Sequence, residues 1–152
     1  MTDSSTTHAT VILTGATAVL IRGPSGAGKS RLAWDLLQAA QQGALPFARL
    51  VADDRVYLDA HHGRLLARTP AELAGLIEVH GLGIRHVPFE PLAAVGLVVD
   101  LAADDAARHP APTTATIAGI ALPRLAVAPA TPAPPLVLAY FCTAAALKRN
   151  GI

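Results

Sequence analysis

A single cysteine, Cys142, excludes an internal disulfide and fits a reducing compartment, so the expected location is the cytoplasm. Aromatic residues make up only 4% of the chain, so its core must be built from Val, Leu and Ala. Charge of either sign is also sparse. The net charge is +1, and the twelve Lys and Arg residues are scattered, which argues against a nucleic-acid partner. No run of about 20 apolar residues is free of charge or proline, so no membrane span is expected. The apolar stretch near the C-terminus is interrupted by Pro129, Pro132, Pro134 and Pro135. Met1 to Thr10 is rich in Ser and Thr and lacks a basic and then apolar leader, so no signal peptide is expected.

What is present is enough for one globular domain: 152 residues, 52% of them hydrophobic. Ala18–Val19–Leu20–Ile21 and Val95 to Leu101 are continuous apolar runs, the pattern of strands buried on both faces. Thr10 to Leu13 and Arg49 to Ala52 are further strand candidates. Leu32, Ala33, Leu36, Leu37 and Ala40 recur at helical spacing from Ser30, with Gly43 as a natural stop. Val56–Leu58 and Leu65–Leu66 flank a turn at His61–His62–Gly63 and predict a hairpin. Pro70 to Leu76 reads as a short helix or a loop. Asp104 to Ala115 reads as a helical turn and loop, and Ala126 to Pro135 as a loop. Leu136 to Ala139 fits a strand or the start of a helix running to Arg149. Trp34 and Cys142 are expected in the core. His61 and His62 read as loop residues, without a third ligand at metal-binding spacing.

Between the first buried strand and the helix lies Gly23-Pro24-Ser25-Gly26-Ala27-Gly28-Lys29-Ser30, a full match to G-x-x-x-x-G-K-[ST]. Glycines let backbone N–H groups curl around phosphate oxygens, and the helix N-terminus adds positive potential. Lys29 would reach the β- and γ-phosphates, and the Ser30 hydroxyl would ligate Mg²⁺. Asp53-Asp54 closes an apolar strand downstream. A strand-end carboxylate beside a phosphate loop orients Mg²⁺, and a second one could take a proton from an attacking hydroxyl. Taken alone, Asp-Asp also simply suits a turn.

His8, the glycine-rich loop, Val51 to Asp54 and Glu78-Val79-His80-Gly81-Leu82-Gly83-Ile84 together resemble the bacterial HPr kinase/phosphorylase family in order and spacing. The family's signature reads Glu-Ile-Arg-Gly-Leu-Gly-Ile. Leu97 to Leu101, Arg108-His109-Pro110 and Ala146 to Gly151 extend the likeness over nearly the whole chain. The resemblance implies an α/β P-loop domain with a mixed β-sheet flanked by helices. It is similar to the short, kinase-domain-only form of α-proteobacteria, without the N-terminal domain of longer members. It implies an ATP-dependent serine kinase acting on HPr, the phosphocarrier of the sugar phosphotransferase system, and a homo-oligomer, hexameric in the family. ATP would sit on Gly23 to Ser30, and Mg²⁺ on Ser30 and Glu78. Asp54 would be the proton acceptor, Asp53 its partner carboxylate, and His8, Lys29 and Arg108 further catalytic groups. Without the resemblance, His8 reads as a solvated histidine and Glu78 as a surface glutamate.

The chain departs from the pattern in places. His80 stands for the signature arginine, and Arg31 stands where an acidic residue is common. Gln41 to Phe47 makes a longer helix or loop before Asp53-Asp54. The family's Pro-Val-Arg-Pro-Gly-Arg stretch, linked to phosphorolysis, meets only Pro123-Arg124-Leu125-Ala126. Kinase activity is therefore expected, and the weak match leaves the reverse reaction, phosphorolysis of the phosphorylated HPr, open. Two other functions suit the same loop: a P-loop kinase of a small metabolite, and a non-catalytic ATP-sensing module. Asp53, Asp54 and Glu78 argue against the latter, since binding alone needs fewer carboxylates.

Overall fold

The computed structural model describes residues 5–143. The strands are β1 (Thr7–His8), β2 (Thr10–Thr14), β3 (Thr17–Arg22), β4 (Ala48–Ala52), β5 (Arg55–His61), β6 (Arg64–Arg68), β7 (Leu76–Val79), β8 (Gly83–His86), β9 (Leu92–Asp100), β10 (Thr113–Ile117) and β11 (Ile120–Ala126). The helices are α1 (Lys29–Gln41) and α2 (Ala133–Cys142), with one 3₁₀ turn at Ala71–Leu73. Nine of the described strands form one mixed sheet in the order β1-β5-β6-β9-β3-β2-β4, with β11 pairing both β9 and β10. Strand β9 is the hub. Its first residues pair antiparallel with β6. Its later residues run parallel to β3 on one side and to β11 on the other. Strands β7 and β8 form a separate hairpin.

The continuous apolar runs are buried on both faces, as their composition predicts. Alternate residues enter two cores. Ile12, Val19, Ile21, Leu97 and Val99 face the helices, alongside Leu32 and Leu36 of α1 and Val137 of α2. Val11, Ala18, Leu20 and Val98 face the other way, against Val56 and Leu65 of the β5–β6 hairpin and Leu122 of β11. Thus both described helices pack against one face, and curled strands cover the other. Full burial of Leu32 and Leu36 contributes roughly 2 kcal/mol each. Helix α1 ends as its glycine predicts. Gly43 has φ 84°, its N–H reaches Ala40 O, and Ala44 N reaches Ala39 O, a Schellman closure.

Several readings need correction. Asp104 to Ala115 is not only a loop, because β10 starts at Thr113 and pairs with β11. That hairpin turns on Ala118 (φ 50°) and Gly119. Alanine is a poor left-handed residue, so the turn carried little sequence signal. The loop from Ala126 shrinks to residues 127–132, since α2 begins at Ala133. Pro134 and Pro135 fall in its first turn, where a missing N–H has no intrahelical partner to lose. Of the two readings for Leu136 to Ala139, the helix holds; Arg149 and the segment Ala146 to Gly151 lie outside the described residues. Cys142 is exposed rather than core, and its thiol donates to Ala44 O at 3.3 Å. Trp34 is half-buried against the helix-side core, as expected. No described helix is long and apolar enough to cross a membrane.

Candidate functional site

The glycine-rich loop joins the end of β3 to the start of α1. Gly23 lies so close to the chain after β9 that a Cβ there would meet Leu101 Cβ at 3.1 Å. Gly28 caps α1 with φ 100°, a left-handed conformation that other residues resist. No side chain caps this helix start, and its first turn carries no acidic residue. Its N–H groups and their positive potential are therefore left for an anion. Lys29 Nζ donates to Gly23 O at 2.9 Å and Pro24 O at 3.1 Å. The ammonium thus spans the loop's own mouth.

Asp53 is the centre of a polar knot. It follows β4 and is 8% exposed. Ser30 Oγ donates to its Oδ1 at 2.6 Å, and Thr10 Oγ1 donates to the same oxygen at 3.0 Å. The Glu78 backbone N–H donates to Oδ2 at 3.1 Å. One carboxylate therefore ties together α1, β2, β4 and β7. Asp54 points elsewhere. It is exposed, has φ 70°, and lies 3.8 Å from His8 Nδ1. The antiparallel pairing of His8 with Arg55 holds β1 beside this carboxylate.

Lys29, Ser30, Asp53, Asp54 and His8 are thus gathered at one end of the sheet, and Glu78 joins them through its backbone N–H while its side chain stays exposed. Arg108 is exposed beyond β9 and makes no hydrogen bond or ion pair with the others. Pro24, Ser25 and Gly26 form the exposed tip of the loop, and Ala27 N closes it on Pro24 O at 3.0 Å. Arg31 pairs with Asp35 one turn on, at 3.2 Å. Among the described residues no group of three His, Cys, Asp or Glu side chains forms a metal cage. Mg²⁺ does not require one: it binds through one or two carboxylates and hydroxyls, with phosphates and water completing the shell. The Ser30–Asp53 pair fits that need, since among the described residues Asp53 is held by two hydroxyls and an amide and by no basic side chain.

Sequence reasoning missed two features. Thr10 is fully buried and orients Asp53, and its only signal was a hydroxyl at the head of an apolar run. The second is an ion network behind the loop. Arg22 clamps Asp100 with bonds of 2.7 and 2.8 Å, Arg124 reaches Asp100 at 2.5 Å, and Arg124 also pairs with Asp105 at 2.6 and 3.0 Å. Burial pushes the Asp100 carboxyl up, but hydrogen bonds and charge from Arg22 and Arg124 outweigh it and leave its pKa lowered.

The HPr Serine kinase C-terminal domain model matches residues 1–89, which include the loop, both aspartates and Glu78. The chain belongs to the HPr serine kinase C-terminal domain family. An HPr kinase/phosphorylase from Clostridium tetani is 41% identical over 70 residues, covering 46% of this chain and 21% of that protein. One from Halalkalibacterium halodurans is 43% identical over 70 residues, covering 45% and 20%. The match thus spans about a fifth of the length of these relatives. The fold is that of the Hpr(Ser) kinase/phosphatase from Coxiella burnetii. The TM-score is 0.75 at 24% identity, over 91% of this chain and 95% of the other.

Proposed function

We propose that the chain is an ATP-dependent protein-serine kinase whose acceptor is HPr. The observation that carries this reading is the Asp53 knot. It joins Ser30 of the glycine-rich loop to Glu78 and leaves Asp54 free at the surface beside His8. In this reading the loop's N–H groups and Lys29 hold the ATP phosphates. Ser30 and Asp53, with the Glu78 carboxylate, would hold Mg²⁺, which would supply charge stabilisation for the transferring phosphoryl group. Asp54 accepts the proton of the acceptor serine as its oxygen attacks the γ-phosphorus. The bond to the β–γ bridging oxygen breaks, and ADP leaves. His8 orients Asp54, and Arg108 is carried as a further catalytic group on the family resemblance.

A protein acceptor suits the surface around the knot. Leu82 and Ile84, on the hairpin that carries Glu78, are 60% and 62% exposed. Such apolar surface serves a docked protein better than a small metabolite. Phosphorolysis is not part of this reading, because Arg124 of the weakly matching stretch is committed to Asp100 and Asp105. A homo-oligomer belongs to the proposal, as does a cytoplasmic location.

Mass spectrometry of HPr after incubation with the protein and Mg-ATP is the test. One added phosphoryl group on a serine is expected. Asp54→Asn should slow transfer by about 10²–10⁴-fold, the worth of a general base, while ATP binding persists. A variant that works at the parent rate removes Asp54 from its role. ATP binding with no transfer to HPr or to small acceptors would leave an ATP-sensing module.

A further inference from the structure

The two aspartates share a tight turn with Arg55, a residue that the knot does not use. Arg55 N donates to Asp53 O at 2.8 Å across Asp54, whose φ is 70°. A hydrogen bond between residues two apart, around a positive φ, is the pattern of the rarer and more strained γ-turn. Such strain persists where side chains must be aimed. The turn sends Asp53 inward to the knot and leaves Asp54 and Arg55 exposed.

Arg55 stands directly opposite His8 in the β1–β5 ladder. Opposed residues of an antiparallel pair share a face, with Cβ atoms about 5 Å apart. Their neighbours Ala9 and Val56 are fully buried, so His8 and Arg55 both face solvent. His8 is also 3.8 Å from Asp54. A guanidinium, an imidazole and a carboxylate therefore share one small exposed surface.

Arg55 is not committed to another partner. Arg22, Arg31, Arg49, Arg68 and Arg124 each sit in an ion pair. Among the described residues, Arg55, Arg64, Arg85 and Arg108 sit in none. Arg64 lies opposite His61 at the far tip of the β5–β6 hairpin, roughly 20 Å along the strand from Arg55. Arg85 lies opposite Ile77, on the other face of its hairpin from Glu78. Arg108 lies on the loop beyond β9. Of these four, Arg55 is the one that belongs to the aspartate turn.

We propose that Arg55 is a further catalytic residue, whose guanidinium grips the phosphoryl group on its acceptor side as it passes to the serine. The inference rests on the kinase reading of the site and adds a cation on the acceptor side. In the transfer, the serine oxygen bonds to the γ-phosphorus and its proton passes to Asp54. The bond to the β–γ bridging oxygen breaks and ADP leaves. The remaining phosphoryl oxygens then carry their charge beside Asp54. Lys29 and the loop's N–H groups serve the leaving side. A guanidinium on the acceptor side offsets the repulsion, and its fork of donors matches two phosphoryl oxygens at once.

Steady-state transfer from Mg-ATP to HPr by the full chain tests it. Arg55→Gln should lower kcat about 10²–10³-fold, as for the loss of one donor to transition-state charge. ATP affinity and the KM for HPr should stay within about threefold of the parent values, since the contact forms only in the transition state. Arg55→Lys keeps the charge and loses the fork, so its rate should fall between those of the parent and Arg55→Gln. Arg64→Gln, on the same hairpin, should turn over at the parent rate. A kcat for Arg55→Gln within about threefold of the parent overturns the assignment. A loss confined to the KM for HPr also overturns it, because Arg55 would then be a docking residue. An equal loss in Arg64→Gln overturns it too, because the effect would then be one of general surface charge. If the parent chain transfers nothing to HPr, the kinase reading fails and the role of Arg55 fails with it. If the parent transfers and Arg55→Gln matches it, only the role of Arg55 fails.

Discussion

Asp53 and Asp100 stand at the ends of strands of the same sheet, and both are held by several donors. Two hydroxyls and an amide hold Asp53. Two guanidiniums hold Asp100. Neutral donors fix a carboxylate in place and leave its charge uncompensated, whereas guanidiniums neutralise it. The first arrangement has charge to offer a cation, and the second is already complete. The contrast separates a carboxylate suited to chemistry from one suited to bracing the loop, although both residues look alike as apolar-strand-ending aspartates.

The hardest way to break the contrast is Asp53→Asn. Removing the charge should lower Mg-dependent phosphotransfer on the order of 10³-fold, since metal stabilisation is worth several kcal/mol. Fluorescence titration should still show ATP binding in the absence of Mg²⁺. An unchanged Mg²⁺ dependence would mean that Asp53 is structural like Asp100.

Asp100→Asn should act on stability instead. It leaves Arg22 and Arg124 without their shared counter-ion. The expected loss is about 2 kcal/mol at neutral pH, below the range for fully buried pairs because Arg22 keeps a third of its surface in water. The folded-state pKa of Asp100 lies below its unfolded value, so its contribution is present above about pH 4. It is lost as the pH falls from there through the folded pKa. Urea midpoints between pH 2 and 7 should therefore converge for parent and variant at the acid end. A gap that stays constant with pH would contradict the ion-pair account.

The smallest effect is expected from Thr10→Val, which keeps shape and removes one donor to Asp53. Loss of a buried hydrogen bond to a charged group should cost about 1.5 kcal/mol in urea denaturation. The Mg²⁺ concentration for half-maximal transfer should rise on the order of tenfold, as for other groups that orient a metal ligand. A change in stability with no change in Mg²⁺ dependence would confine Thr10 to the fold.

Local pattern alone gave the buried strands, α1, its glycine stop and the β5–β6 hairpin, because periodicity and turn glycines are local signals. The β10–β11 hairpin stayed hidden behind an Ala-Gly turn, and the helix reading at Leu136 missed only the proline-bearing first turn of α2. Gly23 to Ser30 and Asp53-Asp54 were legible as candidates because phosphate binding constrains adjacent residues in one loop. No sequence spacing could state that Thr10, Ser30 and Glu78 would converge on one carboxylate, or that Asp100 would be neutralised by Arg22 and Arg124. Those contacts join residues 23 to 78 positions apart, and only the packing of β2, β3, β4, β9 and β11 around α1 brings them within hydrogen-bonding distance.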